Sequence, residues 1–454
     1  MFNKLPLQDL LEFTRDGEWG KGEPADNLVK MAVIRGTDFA AVRVGNISSV
    51  PIRYIPKKIA DRKMLCPGDV LLETAGGTKD QPTGRTVYLS KRVIDAFGIP
   101  VTCASFSRFL RVKSNLIDPR YLFWYLQSIY KSGEMLPYHV QHTGVARFQY
   151  TDFAAQWHVP LQTMTRQVEI ADVLTSLDDR IELNRRMNET LEAMAQAIFR
   201  DWFVDFGPTR RKGEGASNPV EIMGGLVTDA ERAQQLADLF PASFGENGLP
   251  EGWEPCVASD LIEFNPREPL KKGSTAPYTD MSSLPTSGSI AEEPVQREFG
   301  SGMRFRNGDA LLARITPCLE NGKAAFVDFL PHERTVGWGS TEFYVLRARD
   351  GVPPPIAYLL VRLPDFRTVA ISSMTGTSGR QRAQVDRLEA FPMVRPDRAV
   401  VAAFGSFVEP MFEKISANGR ENRSLAAARD LLLPKLMSGE IRLREAEAEL
   451  EAAQ

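Results

Sequence analysis

Cysteine and histidine are both scarce in this chain. Four cysteines (Cys66, Cys103, Cys256, Cys318) lie far apart without CxxC spacing, so a disulfide framework or a zinc knuckle is disfavoured and core-filling thiols in a reducing compartment are expected. The four histidines (His139, His142, His158, His332) form no HxxxH or HExxH pattern, so spacing marks no metal site. No stretch approaches the roughly 18 uninterrupted apolar residues of a membrane span, and the opening "MFNKLPLQDLLEFTRDGEWG" lacks the parts of a secretory signal. A cytoplasmic chain without membrane contact is the expectation. Neither sign of charge dominates: 55 basic against 58 acidic residues give a net charge of −3. A global field drawing the chain to nucleic acid is thereby excluded, but a basic groove on one face is not.

Catalytic spacing is missing too. The Gly-rich "AGGTKDQPTGRT" at 75 to 86 contains no GxxxxGK[ST] and reads as a strand-turn-strand. There is no Asp/Asn-Pro-Pro-aromatic tetrapeptide of an amino-methyltransferase; "FNPREP" at 264 to 269 only begins that way. Asp178 and Asp179, beside Arg180, are expected on the charged side of a helix, as solubility or partner contacts rather than paired metal ligands.

What the sequence does have is one pattern written twice. The 454 residues and 43% hydrophobic content point to two to four domains. "MNETLEAMAQAIF" at 187 to 199 has a counterpart in "ENRSLAAARDLLL" at 421 to 433. Steps of three and four give a first seam of Leu174, Leu177, Ile181, Asn184, Asn188, Leu191, Ala195, Ile198 and Trp202. The second seam is Val408, Met411, Ile415, Asn418, Asn422, Leu425, Arg429, Leu432 and Leu436. Such seams belong to long helices that need a long partner. Upstream, "CPGDVLLE" at 66 to 73 answers "RNGDALLA" at 306 to 313, "FLRVK" at 109 to 113 answers "VLRAR" at 345 to 349, and "HTGVARFQY" at 142 to 150 answers "GTSGRQRAQ" at 376 to 384. The shared order predicts a duplicated unit of globular part plus helix.

Within each copy, "DVLLETA" with "GRTVYLS", and "ALLARI" with "KAAFVDF", read as strands around a turn. "PRYLFWYLQSI" and "PPPIAYLLVRL" read as helices entered through proline. The expected fold is α/β or α+β, with two similar globular domains separated by two long antiparallel coiled-coil helices and related by a pseudo-two-fold. The expected divisions are a first globular domain over 1–165, a long helix over 166–206, a connector partly pinned to the surface over 207–250, a second globular domain over 251–398, a second long helix over 399–441 and a charged tail over 442–454. A helix of that length spans about 60 Å at about 1.5 Å per residue. Laid antiparallel, the two would put the globular parts at opposite ends.

Counting along each seam puts its midpoint at Asn188 and at Asn422, so an approximate two-fold would bring these amides face to face and fix the register at some cost in stability. The alternatives are a wetter edge of an ordinary helical hairpin for Asn184, Asn188, Asn418 and Asn422, or a meeting with a partner subunit. Phe199, Trp202, Phe203 and Phe206 crowd the end of the first helix, where intrachain packing competes with subunit docking. The basic "GPTRRKG" at 207 to 213 could neutralise phosphates or be a solvated linker.

Three stretches resemble a known family. "VEIADVLTSLDDRIELNRRMNETLEAMAQAIFRDWFVDF" at 168 to 206, "GDALLARITPCLENGKAAFV" at 308 to 327 with "GWGSTEFYVLRAR" at 337 to 349, and "LLLPKLMSGEI" at 431 to 441 look like the specificity subunit of a type I restriction-modification system. "WGKG" at 19 to 22 and "VIRGTDF" at 33 to 39 add to it. The resemblance implies a chain with no catalytic centre and no cofactor of its own, whose two target-recognition domains each read half of a split DNA site while the helices measure the unread spacer. Its implied partners are double-stranded DNA, two modification subunits that use S-adenosylmethionine, and restriction/translocase subunits that use ATP and Mg2+. A noncatalytic protein-interaction scaffold without sequence-specific DNA reading is the alternative.

For DNA contact the useful groups are basic or amide-bearing side chains on turns held by strands. The first copy offers Lys79, Gln81, Arg85, Gln141 and Arg147, with His142 and Gln149 nearby; the second offers Arg314, Asn321, Lys323, Arg380, Gln381 and Arg382, with Thr377 and Ser378. Arg314 and Lys323 have no simple counterparts in the first copy.

Overall fold

A computed structural model describes residues 3–78, 81–141, 145–377 and 379–441. The chain divides into two compact units: unit 1 takes 1–182 with 422–454, and unit 2 takes 183–421. Each unit is mixed α/β, and each receives part of both long helices, Met164–Phe203 and Arg398–Ser438.

In unit 1 an antiparallel sheet is ordered Leu11–Asp16, Ser107–Val112, Val70–Glu73, Thr86–Tyr88. The strand Val70–Glu73 is buried along its whole length because both its faces are covered. Val70 and Leu72 point to the helix Pro119–Lys131, and Leu71 points with Phe109 and Val87 to a second sheet. That sheet is ordered Ile52–Pro56, Leu28–Ile34, Val101–Cys103, its last pair parallel. Asp118 caps the helix by accepting from the amides of Arg120 and Tyr121, Pro119 fills its first turn, and seven of its thirteen side chains are buried.

Unit 2 repeats the plan. Its antiparallel sheet is ordered Ile262–Phe264, Phe343–Ala348, Ala310–Ala313, Ala324–Phe326, with Leu312 and Leu346 toward the helix Pro355–Arg362 and Leu311 and Val345 toward the second sheet. The second sheet again holds one parallel pair, Thr275–Thr279 with Gly337–Gly339. A two-stranded ribbon leads into each long helix, Asn3–Pro6 with His158–Leu161 and Glu254–Val257 with Pro392–Arg395.

The repeated "GD" and "LR" dipeptides form one ion pair in each unit. Gly68 (φ +96°) and Gly308 (φ +91°) make the tight turn into the central strand. The following Asp69 and Asp309, each 1% exposed, then accept two hydrogen bonds apiece from Arg111 (2.9 and 2.8 Å) and Arg347 (2.7 and 2.7 Å). The amides of Cys66 and Arg306 complete the two carboxylates. A bidentate guanidinium and a backbone donor are what a buried carboxylate needs.

The helix pair corrects the expected register. In unit 2 Asn418 donates to Asn188 at 2.7 Å, so Asn188 meets Asn418 rather than Asn422, one helical turn from the midpoint count. Asn188 also donates to the Ile415 carbonyl (3.3 Å) and Asn184 to Glu421 (3.0 Å). Falling numbers on one helix match rising numbers on the other, which is the antiparallel sense. Asn184 and Asn418 are 1% and 0% exposed, so the wet-edge alternative fails for both. The apolar end of this seam buries Ala195, Ile198 and Trp202 with Phe404 and Val408, while Leu191, Asn188 and Met411 are half-buried. In unit 1 Leu174, Leu177, Leu432 and Leu436 join the globular core, with Leu425 packed against it and Ile181 buried. Asp178 does not face solvent on a charged side; it holds Arg43 and the seam residue Arg429.

Residues 207–250, expected as a connector with a modest apolar or helical stretch inside, hold three short helices, Gly207–Gly213, Pro219–Ile222 and Ala230–Ala237. Ile222, Met223, Leu236 and Phe240 enter the core of unit 2. The aromatic cluster is intrachain packing: Trp202 meets Phe240 and Phe404, Phe203 meets Trp253, and Phe206 meets Phe244. The basic cluster is spent locally, with Arg211 bidentate to Asp201 and Arg210 and Lys212 on carbonyls. Cys103 is fully buried, and burial pushes its thiol up to about 12; all four cysteines are unbridged.

Candidate nucleic-acid interface

At one edge of each antiparallel sheet the central strand runs into a turn that pairs with a short arginine-bearing segment. In unit 1 the segment is the strand Ala146–Phe148: Phe148 N donates to Thr74 O (2.8 Å) and Gly76 N to Ala146 O (3.2 Å). In unit 2 Ala383 N donates to Arg314 O (2.9 Å) and Thr316 N to Gln381 O (3.0 Å). The equivalence is therefore Arg147 with Arg382, one residue off the alignment the two turn sequences suggest. The position of Arg314 is held in unit 1 by Thr74, as the missing counterpart implied.

The guanidinium environments differ. Arg382 is bidentate on Glu342 (2.8 and 2.6 Å), and Arg314 reaches the same carboxylate at 3.2 Å while lying over Tyr344. The hydrogen bonds from Arg382 hold the Glu342 carboxyl below its ordinary range against the opposing effect of burial, with Arg314 adding to the shift. Two cations share one anion, so a positive charge is left at a fixed place. Arg147 is exposed and makes no ion pair among the described residues. It lines an open cleft of about 440 Å³ with Asp16, Phe106, Arg108, Gln149 and Tyr150. Arg108 is bidentate on Asp16 and stacked over Tyr150 at 4.3 Å.

Two sequence candidates have structural duties instead. Arg85 forks onto Glu73, which is 2% exposed, through bonds of 2.8 and 2.5 Å, and Lys323 donates to the Met281 and Ser282 carbonyls. The Arg85 charge is neutralised by the buried Glu73 carboxylate, whereas the Lys323 ammonium is held in place by carbonyls. Gln81, Gln141, Asn321 and Arg380 are exposed, and Gln381 is half-buried with its backbone paired to Thr316. Lys79, His142 and Ser378 lie outside the described residues. Phe106, Arg108 and Glu342 escaped the sequence reading; the one available signal was their position just before or within the paired "FLRVK" and "VLRAR" strands.

Among the described residues no group of three or more His, Cys, Asp or Glu is arranged to hold a metal, and no helix is long and apolar enough to cross a membrane.

A duplicated α/β protein with two long paired helices and an arginine-bearing turn in each half is the class this fold defines. Residues 63–193 match the family described as the type I restriction modification DNA specificity domain. The chain is 25% identical over 313 residues to the type I restriction enzyme HindI specificity subunit of Haemophilus influenzae, covering 61% of this chain and 67% of that one. It is 23% identical over 340 residues to the MjaIX specificity subunit of Methanocaldococcus jannaschii, covering 71% and 69%. In fold it is similar to the type I restriction-modification S subunit from M. genitalium, with a TM-score of 0.55, 13% identity and 96% of each chain covered. Over 61 to 71% of its length the chain is thus similar to type I restriction enzyme specificity subunits, and residues 63–193 match their DNA specificity domain.

Proposed function

We propose that the chain reads a split, asymmetric duplex DNA target, one half with each unit, and that the paired helices set the length of the unread spacer. The observation that carries this reading is the duplication itself: the same sheet edge recurs, with an arginine at the same place in each copy, Arg147 and Arg382. Arginine at a turn held by strands suits guanine edges or phosphates, and a rigid scaffold suits specificity. Arg380, Gln381, Arg314 and Asn321 in unit 2, and Gln81 and Gln141 in unit 1, are further contacts of the same kind.

In this reading two modification subunits supply S-adenosylmethionine and adenine methylation, and restriction/translocase subunits supply ATP- and Mg2+-dependent cleavage. Exposed Leu183, Met187 and Met194, spaced along one side of the first long helix, support a modification subunit docking there. The test is selection of randomised duplex DNA by the chain in complex with its modification subunits. Recovery of two defined half-sites across a fixed spacer is the expected result. Partner binding without any DNA selectivity overturns the reading in favour of a scaffold.

A further inference from the structure

The two sheet edges share a backbone and differ in what they display. Thr74 N donates to Phe106 O at 2.8 Å and Arg314 N to Glu342 O at 3.0 Å, so Phe106 and Glu342 occupy one equivalent position beside Arg147 and Arg382. In unit 2 that position holds a carboxylate gripped by two arginines. In unit 1 it holds a phenyl ring that is 59% exposed.

A single exposed apolar side chain is ordinary on a protein surface. Phe106 differs from that ordinary case in three ways. Its carbonyl accepts from both Thr74 N (2.8 Å) and Ala75 N (3.2 Å), which anchors the backbone beneath the ring to the sheet edge. The ring and Arg147 line the same open cleft, whose other cation, Arg108, is neutralised by Asp16. And the equivalent residue of unit 2 is engaged with the very arginine that corresponds to Arg147.

We propose that this position determines how each unit reads its half of the target, and that the two units read by different chemistry. Phe106 makes an apolar contact with a base, through a thymine methyl or a base face, while Arg147 contributes an adjacent charged contact. Glu342 is a positioning residue: it touches no base, and orients the Arg382 and Arg314 forks so that their remaining N–H groups meet guanine O6 and N7. The inference rests on the two-half-site reading above and assigns the residues that separate the halves.

The experiment is the same DNA selection, run on the complex carrying Phe106→Ser, Phe106→Tyr or Glu342→Gln. Phe106→Ser is expected to lose base preference at one or two adjacent positions of a single half-site, with the other half-site and the spacer unchanged; Phe106→Tyr is expected to keep it. Glu342→Gln is expected to relax positions in the opposite half-site only. Unchanged selection in both halves overturns the inference, and so does a uniform loss of affinity for all sequences, which would mark backbone contacts alone. A wild-type complex that selects no split target instead overturns the underlying reading. Melting temperatures of the variants show whether each is folded, and the conservative Tyr variant keeps the Phe106 arm decisive if the Ser variant is not.

Discussion

Asn418 donates its side-chain amide to Asn188 Oδ1 across the two long helices at 2.7 Å, and its own Oδ1 finds no partner among the described residues although Asn418 is wholly buried. Such a pair is kept for register rather than for stability, because two apolar residues of similar shape would carry no desolvation cost. Asn188→Leu strands the Asn418 amide and is expected to cost about 1–3 kcal/mol. Asn418→Leu should cost less, since Asn188 is half-buried and keeps the Ile415 carbonyl. The double Leu variant is expected to recover most of the loss, which chemical unfolding of the four proteins would measure. If the two single losses add without recovery, the amides are not acting as a pair.

That the helices carry amides in their seam was legible from spacing, and so was the repeat of both amides. The partner of each was not. Counting to a midpoint assumes that both seams are trimmed equally, whereas the register is set by the bulk that must be packed. Trp202 is buried in contact with Phe404, which lies one seam step before Val408. The same limit applies at the candidate interface. Residue type marked Arg85, Arg147 and Arg382 alike, but only the fold reveals that the buried Glu73 takes Arg85, and that Phe106 and Glu342 are equivalents. The strands around Val70–Glu73 and Ala310–Ala313 were readable because short apolar runs between glycine turns have few other uses.

The paired "GD" and "LR" signatures predict matched losses of stability. Removing the guanidinium leaves Asp309 or Asp69 buried without its counter-ion, which costs about 3–5 kcal/mol for a buried pair. Arg347→Met is expected near the upper end, because Arg347 is itself 12% exposed, and Arg111→Met lower, because Arg111 is 32% exposed. Lysine should restore little in either unit, since an ammonium cannot span both carboxylate oxygens. Calorimetry of the four variants checks the order; equal stability of Arg347→Met and wild type would remove the pair from any structural role.

Glu192 makes part of the stability of unit 2 depend on pH. It is 7% exposed on the first long helix, and burial raises its carboxyl above the ordinary value despite hydrogen bonds from Tyr358 (2.7 Å) and Gln196 (3.1 Å). A carboxyl raised on folding binds more protons in the folded than in the unfolded chain between the two pKa values, so stability falls as pH rises through that window. The ionised group therefore opposes folding at neutral pH. Glu192→Gln keeps both partners and removes the charge, and is expected to melt higher than wild type at pH 7. Its advantage should shrink as pH falls through the folded pKa. A variant that melts lower than wild type at every pH would mean the charge is needed, with the Arg362 guanidinium as its counter-ion.

The arginines of the two turns should separate by the salt dependence of DNA binding. A cation that neutralises one phosphate releases about one counterion, so its loss lowers the slope of log affinity against log salt by about one. Arg147→Ala and Arg380→Ala, both exposed and without ion pairs among the described residues, are expected to lower it by about that amount if they lie on the backbone. Arg382→Ala should lower it by less, because Glu342 already balances part of that charge and Arg314 remains beside it. Arg85→Ala should leave the slope unchanged and instead lower the melting temperature, since its partner Glu73 is buried. Affinities measured on one duplex over a series of salt concentrations give all four slopes. A full-unit change for Arg85→Ala with no loss of stability would return that residue to the interface, and unchanged slopes for Arg147→Ala and Arg380→Ala would take both turns off the DNA backbone.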